Sequence, residues 1–473
     1  MIFILTEIMK TTYYLFMLAG LLTIASCKVS KTYKRPDVKA QNLYRDSTTS
    51  DTTSIAKLPW RKLFADTVLQ NLIQEGIDHN LNLQNAVLKI AEADATLRQT
   101  KAAYFPTLDA GVSATKTKTS QAALNFPAGV GINLNTITYQ AQFSASWTVN
   151  VWGQLSSLKR QAIANFLQSD ASKRAVQTQL IADIATNYYI LLSYDQQLAI
   201  TKQSVKNYIQ DVETNKALLE GNVVTGASVV QSEANRYAAE ITIPDLEQQI
   251  RETENALCIL LSRPAGAVKR ATLADQKPLE NITAGLSTQL LRNRPDIQQS
   301  EFSFMAAFEN TNVAHSYFYP TLTITAEGGL SSLQLKNLFD NSIFYNLIGG
   351  LTQPIFNQGK NKSRYRIAKA QQLEALNTYQ QTILTAGQEV ANALYAYKTS
   401  IKKQELRKKE LDALQKSVEY TKQLLTYSSA TNYIDVLTSE QNLLAAQLAG
   451  VNDRAQQVQA IVTLYSSLGG GWQ

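Results

Sequence analysis

The feature that most constrains this chain is a stretch without glycine or proline from Gln154 to Glu220, bounded by Gly153 and Gly221. A continuous helix over these roughly 67 residues would be on the order of 100 Å long, which is wider than a globular core. Hydrophobic residues recur at every seventh position along it, and this spacing predicts packing along a coiled-coil seam. The recurring residues are Ile184, Leu191, Leu198, Val205, Val212 and Leu219.

A second stretch, after Gly359, contains no proline and keeps the same seven-residue spacing. A shift of 206 (390 − 184) places Ile184 on Val390 and Leu219 on Leu425, so the chain is predicted to be an internal duplication. A second helix-compatible stretch follows each long one, at 228–261 and 433–468, after a short irregular passage. Each half is therefore predicted to be an antiparallel helical hairpin.

Strict alternation of apolar and polar residues runs through the thirteen residues from Ile137 to Val149. That length is typical of a transmembrane barrel strand, whereas a strand in a soluble sandwich, the alternative, is nearer six residues. Further alternation at 108–114, 322–326 and 345–351 predicts four strands per chain. Four strands cannot close a membrane barrel, because closure needs about eight strands and lipid does not tolerate open edges. The barrel must therefore be shared between several chains.

The amino terminus has the features of an export signal. Lys10 precedes the largely apolar segment Tyr13 to Ala25, and Cys27 follows two small residues. The segment is shorter than a permanent membrane span, which predicts a signal peptide over residues 1–26. The run Ile24 to Cys27 resembles a bacterial lipobox, in which Cys27 would be lipidated. The alternative is an ordinary signal peptide followed by a chance cysteine.

Composition excludes several functional classes. The two cysteines form no paired motif and the two histidines, His79 and His315, lie far apart, which argues against zinc and iron-sulfur sites. No nucleophile or phosphate-loop motif supports an enzyme, and both histidines are interpreted as surface or packing residues. The net charge of +7 would favour a nucleic acid partner, but export separates the chain from one. No catalytic residue, metal, cofactor or nucleic acid partner is therefore expected.

A series of short motifs, from Cys27 to Trp472, resembles the TolC-like outer membrane factors, and specifically the OprM/NodT branch of efflux lipoproteins. Each motif is weak alone, but their order on a duplicated skeleton of strands and helices is specific. The motifs are Tyr33-Lys34-Arg35-Pro36, Pro59-Trp60 with Leu63-Phe64 and Asp66, Asn80-Leu81, Phe105-Pro106, Arg294-Pro295-Asp296-Ile297, Tyr319-Pro320 and Leu468-Gly469-Gly470-Gly471-Trp472.

The resemblance implies a mainly helical fold with a transmembrane β-barrel shared by three chains, and a periplasmic helical tube. It implies a homotrimer in the bacterial outer membrane, in contact with outer membrane lipid, with its helices in the periplasm. As partners it implies a periplasmic adaptor protein and an inner-membrane pump, usually of the resistance-nodulation-division type. The implied function is a passive exit duct for drugs or other small molecules. Metal efflux and type I protein secretion remain alternatives, and a secreted coiled-coil scaffold that forms no channel is a third.

The resemblance also implies functional residues at the periplasmic tip. Asp435 aligns with a gate aspartate of the family, with Ile434 and Thr438 beside it, although an aspartate is common where this chain has Thr438. A ring of Asp435 carboxylates would favour cations. The alternative role of Asp435 is an acid that stabilises a helix N-terminus. Adaptor contacts are expected at four residues of the two hairpin turns, namely Thr225, Gly226, Thr431 and Asn432.

Seven segments follow from these patterns. They are the signal peptide (1–26), a lipidated segment with equatorial helices (27–106), a first barrel hairpin (107–150), a first long helical hairpin (151–262), a linker with an equatorial helix (263–320), a second barrel hairpin (321–354), and a second long helical hairpin with a C-terminal equatorial segment (355–473).

Overall fold

The computed structural model describes residues 29–38, 43–44, 54–120, 122, 133–276, 287–427 and 433–472. The predicted signal peptide, Cys27, Thr431 and Asn432 lie outside these residues. Short 3-10 helices span Ile55–Lys57, Ser287–Gln289 and Leu335–Asn337. The other elements are α1 (Trp60–Leu63), α2 (Thr67–His79), α3 (Leu81–Ala102), β1 (Thr107–Lys118), β2 (Asn135–Val149), α4 (Gln154–Glu220), α5 (Gly226–Leu260), α6 (Leu290–Asn293), α7 (Pro295–Ser316), β3 (Thr321–Ser332), β4 (Ile343–Thr352), α8 (Lys360–Tyr427) and α9 (Tyr433–Ser467).

Both predicted long helices are confirmed: α4 has 67 residues and α8 has 68. Each begins directly after a glycine with a positive φ, 79° at Gly153 and 76° at Gly359. Only glycine adopts this backbone conformation at little cost. The same conformation therefore precedes the long helix in both halves of the duplicated chain. Helices of 35 residues, α5 and α9, follow the long ones. In the described part of the chain, no helix is both long enough and apolar enough to cross a membrane.

The four strands form one antiparallel sheet in the order β1-β2-β3-β4. Directly opposed residues of neighbouring strands share a face. One row across the sheet joins Leu108, Ala145, Ala326 and Leu347, and the adjacent row joins Asp109, Ser144, Glu327 and Asn346. The register therefore collects the alternating apolar residues on one face and polar residues, including two carboxyl groups, on the other.

Among the residues that the structure describes, the sheet ends in two edges without a partner strand, because β1 pairs only with β2 and β4 pairs only with β3. Residues of β1 are exposed along the whole strand, and most residues of β4 are exposed. Both outer strands thus keep a row of backbone groups available for pairing with another strand.

The chain divides into two compact units, each built from three segments. The first comprises Met1–Asp37, Ile90–Gln168 and Glu301–Thr378 and contains the sheet. In it, Arg160 forms a two-pronged ion pair with the fully buried Glu309, at 2.7 and 2.9 Å. The seven segments drawn from the sequence remain a prediction.

The second unit comprises Val38–Lys89, Ser169–Ser300 and Tyr379–Gln473 and contains a large hydrophobic core. Its fully buried side chains include Leu69, Ile184 and Tyr188. Burial of each such side chain is worth about 1.5–3 kcal/mol before the entropy cost of ordering. Of the apolar positions at the seven-residue spacing, Ile184 and Leu191 are buried in this core and Leu198 packs against it, whereas Leu219 is 38% exposed.

Two of the sequence motifs contact each other in the second unit. Arg294 donates a hydrogen bond to the carbonyl oxygen of Ser467 (2.9 Å), and the indole of Trp472 donates one to the carbonyl oxygen of Asn293 (3.1 Å). Gly469 has a φ of 84°, and a Cβ there would lie 2.5 Å from the oxygen of Asn293. The glycine-rich ending therefore lies directly against the Arg-Pro-Asp-Ile motif.

Candidate functional site

Thr225 and Gly226 lie at the connection between α4 and α5, and both are exposed. The Thr225 hydroxyl lies 3.4 Å from that of Ser228, and a Cβ added at Gly226 would meet no atom within 4 Å. Val223, in the same connection, is 66% exposed. These residues are accessible to a partner, and their role in binding one stays a prediction.

The predicted gate residues Ile434, Asp435 and Thr438 are all exposed at the start of α9. The Thr438 hydroxyl donates a hydrogen bond to the carbonyl oxygen of Ile434 (2.8 Å). Asp435 lies in the first turn of the helix, where an acid also stabilises the helix dipole. Both interpretations of Asp435 therefore stay open on this geometry.

The opposite side of α9 is buried and carries a cluster that the sequence analysis did not identify. Its members are Asp211 from α4, Lys422 from α8, and Tyr433 and Glu440 from α9. The Nζ atom of Lys422 lies 2.5 Å from Oε1 of Glu440 and 4.0 Å from Oδ1 of Asp211. The Tyr433 hydroxyl donates a hydrogen bond to the carbonyl oxygen of Asp211 (3.2 Å).

The cluster holds two carboxyl groups against one lysine. Burial raises the pKa of Asp211 to about 7, the neighbouring carboxyl group of Glu440 raises it further, and the charge of Lys422 lowers it. Burial, together with the charges of Glu440 and Asp211, raises the pKa of Tyr208 to about 12. Asp211 Oδ2 and Glu440 Oε2 are buried and have no hydrogen-bond partner in the described part of the chain. Two ionised carboxylates here would be costly, so the pair favours a bound proton.

The ion pair of this cluster has a counterpart in the first hairpin. Lys216 lies 3.5 Å from Glu233, and the two positions precede Lys422 and Glu440 by 206 (422 − 216) and 207 (440 − 233) residues. The Glu233 side chain is 36% exposed, whereas that of Glu440 is 9% exposed. The duplication shift is therefore the signal that could have identified Lys422 and Glu440.

His315, interpreted from the sequence as a surface or packing residue, lies at the end of α7 among aromatic rings. Its ring centroid is 5.7 Å from those of Tyr319 and Tyr365. His79 is exposed at the end of α2. The described residues contain no group of three His, Cys, Asp or Glu side chains that could hold a metal ion.

A family model described as "Outer membrane efflux protein" matches residues 72–262 and 286–470, which is more than half of the chain. The two matched parts correspond to the two halves of the duplication. The resemblance seen in the motifs is therefore confirmed at the level of this family.

Curated relatives match over nearly the full length. The "Cation efflux system protein CusC" of Escherichia coli O157:H7 is 29% identical, over 96% of this chain and 97% of that protein. The "Probable outer membrane lipoprotein SilC" of Salmonella typhimurium is 29% identical, over 97% of each chain. The "Solvent efflux pump outer membrane protein SrpC" of Pseudomonas putida is 29% identical, over 96% of this chain and 97% of that protein.

Among solved structures, a crystal structure of CusC superposes with a TM-score of 0.83 and 26% identity, covering 94% of this chain and all of that one. The arrangement of long helices and a small sheet is thus a known fold, as predicted. Members of this family are passive outer membrane channels and not enzymes, so family membership places this protein in the outer membrane as well. On these grounds, the chain belongs to the outer membrane efflux protein family.

Proposed function

We propose that three copies of this chain join their sheets edge to edge into a twelve-stranded barrel and act as the outer membrane duct of a tripartite efflux system. The observation that carries this proposal is the four-stranded sheet, which has one apolar face and, in the described part of the chain, two unpaired edges. In lipid, backbone groups at an open edge cost several kcal/mol each, so such a sheet needs partner strands. Three identical sheets would supply them.

The two faces of the sheet support a water-filled lumen. In a membrane barrel the apolar face contacts lipid and the polar face lines the interior. The polar row with Asp109 and Glu327 would then carry negative charge into the lumen. Carboxylates that line a pore favour cations over anions. The duct itself is passive, and energy would come from the inner-membrane pump.

The substrate is proposed as a class of small solutes. The names of the relatives cover both cation efflux and solvent efflux, so export of metal ions and export of organic compounds both fit the family. The pump, which binds and selects solutes, would determine which of these the duct carries. An adaptor protein would dock at the hairpin turns, where Thr225 and Gly226 are exposed.

We also propose that Cys27 carries a lipid anchor. The small residues before Cys27 and the name of the relative SilC support this. Metabolic labelling with palmitate should mark the native chain, and the variant Cys27→Ser should incorporate none. Labelling of the serine variant at the native level would contradict lipidation at this residue.

The proposed channel is tested with the full-length protein extracted from outer membranes. Light scattering in detergent should give the mass of a trimer, and insertion into a planar lipid bilayer should give discrete ionic conductance steps. A monomeric protein that produces no conductance in the bilayer would overturn the proposal. Extraction by carbonate alone, without detergent, would favour a peripheral scaffold instead.

A further inference from the structure

A basic segment of single charge sign follows the last strand of the sheet. Between Asp340 and Glu374 the chain has no acidic residue and five basic ones. All five lie within the first ten residues of α8. They are Lys360, Lys362, Arg364, Arg366 and Lys369.

Among the described residues, these cations lack the acidic partners expected on an ordinary solvated helix face. Within the described residues none of the five forms an ion pair, whereas further along α8 Lys409 pairs with Glu405 at 2.9 Å. Arg364 instead stacks over the ring of Tyr317, at 3.9 Å. Cations in the first turns of a helix also oppose its dipole, so helix stability does not account for them. Binding of an anion from outside the chain would account for these five cations.

The residues before the basic segment indicate what supplies that anion. Tyr345 and Leu351 on β4 are 86% and 66% exposed, and beyond the strand Ile355 and Phe356 are 101% and 85% exposed. The chain therefore passes from exposed apolar residues to cations within a few residues. This is the order met on leaving the hydrocarbon core of a bilayer for its headgroups.

Resting on the proposed barrel, we infer that Lys362, Arg366 and Lys369 bind the phosphate groups of anionic phospholipids in the periplasmic leaflet. These three residues, called the basic stripe below, are exposed and lie at i, i+4 and i+7, hence on one side of α8. From Lys360 to Lys369 the helix rises by about 14 Å, which is comparable with a headgroup layer plus the screening length of physiological salt. Each cation near an anionic leaflet strengthens binding about fivefold.

The test compares two triple variants of the full chain. Lys362→Gln/Arg366→Gln/Lys369→Gln removes the basic stripe. Lys398→Gln/Lys402→Gln/Lys408→Gln removes three other exposed cations of α8 that have no ion pair in the described structure, so the change in net charge is identical. Each protein is reconstituted in equimolar phosphatidylglycerol and phosphatidylcholine, re-extracted, and its retained lipid is measured by mass spectrometry.

Wild type and the control variant should retain phosphatidylglycerol preferentially, and this preference should weaken with added salt. The stripe variant should lose up to roughly 100-fold of the preference, since three cations each contribute about fivefold. Unchanged preference in the stripe variant, or equal loss in the control, would overturn the inference.

Conductance of the same preparations separates this inference from the proposed function. If wild type forms conducting trimers without any preference for phosphatidylglycerol, the lipid site alone is wrong. If wild type fails to form trimers or to conduct, the channel proposal fails first. Conductance of the stripe variant at the wild-type level shows that its barrel is intact.

Discussion

Lys422 lies 2.5 Å from Glu440 and 4.0 Å from Asp211, so one ammonium group faces two carboxyl groups across three helices. With both carboxyl groups ionised, these three side chains carry a net negative charge, and the two carboxyl groups are largely buried, at 13% and 9% exposure. One bound proton removes that charge. The cluster therefore links the packing of α4 against α8 and α9 to pH.

The first prediction concerns this link. Asp211 has a pKa of about 7 when folded against 3.8 in its ordinary state, so between about pH 4 and pH 7 the folded protein binds more protons than the unfolded one. The free energy of unfolding should therefore decrease as pH rises through this window. In Asp211→Asn that decrease should be smaller. Thermal melting at intervals between pH 4 and pH 8 measures the slope of stability against pH in wild type and in the variant.

The control for this experiment is Glu419→Gln, which removes an exposed acid of α8. Its slope should equal that of wild type. Hydrogen-exchange protection in the first turns of α9, taken relative to the intrinsic base-catalysed exchange rate at each pH, should also be weaker at pH 8 than at pH 5 in wild type. A slope in Asp211→Asn equal to that of wild type would contradict the assignment of the proton to this cluster.

The second prediction compares two glycines near the C-terminus. Gly469→Ala should lower the free energy of unfolding by at least about 1–2 kcal/mol, because φ is positive there and the new Cβ would strike the Asn293 oxygen. Gly450→Ala lies inside α9 and should raise it by about 0.5–1 kcal/mol through helix propensity. Its Cβ would meet Arg407 Cγ at an ordinary 3.5 Å. Chemical denaturation measures both, and equal effects would contradict this account.

The third prediction concerns Arg294, which donates hydrogen bonds to Ser467 and Glu389 and a two-pronged one to Asp296. Lysine cannot reproduce this fork, so Arg294→Lys should destabilise the protein by about 1–3 kcal/mol. Lys409→Gln breaks an exposed ion pair and should leave the melting temperature unchanged. A melting temperature of Arg294→Lys equal to that of wild type would show that a positive charge at this position is enough for stability, without the guanidinium fork.

The fourth prediction tests which face of the sheet contacts lipid. Phe143 is 62% exposed on the apolar face, and Gln142 precedes it on the polar face. Phe143→Lys should cost about 2–4 kcal/mol in the membrane, whereas Gln142→Lys should be tolerated because it faces the lumen. The amount of trimer in outer membrane fractions measures both. If Gln142→Lys lowered the amount of trimer more than Phe143→Lys, the proposed assignment of lipid-facing and lumen-facing sides would be reversed.

The fifth prediction decides between the two roles of Asp435. If three such carboxylates surround the pore, Asp435→Asn should lower the permeability of cations relative to anions, measured from reversal potentials in a salt gradient. Asp78→Asn removes an exposed acid of α2 and should leave selectivity unchanged. Selectivity unchanged in Asp435→Asn as well would leave that residue with its helix-dipole role alone.

Much of the fold could be predicted from the sequence because it depends on local periodicity. The stretch without glycine or proline predicted a long helix, its seven-residue spacing predicted a packing seam, and the alternation from Ile137 to Val149 predicted a strand with one apolar face. Both signals arise from where consecutive side chains point. The duplication was visible for the same reason, since each half repeats its pattern at a nearly constant shift.

The buried cluster could not be predicted in this way, because Asp211 and Glu440 are separated by 229 positions (440 − 211) and no local pattern specifies their meeting. The contact of Gly469 with Asn293 is of the same kind. By itself the sequence determined the elements, their order and their apolar faces, since these follow from backbone geometry and side-chain periodicity. Only the tertiary structure decided which strands pair, which helices bring Asp211 and Glu440 to the same lysine, and which glycine touches a distant carbonyl, because such choices depend on packing between remote segments.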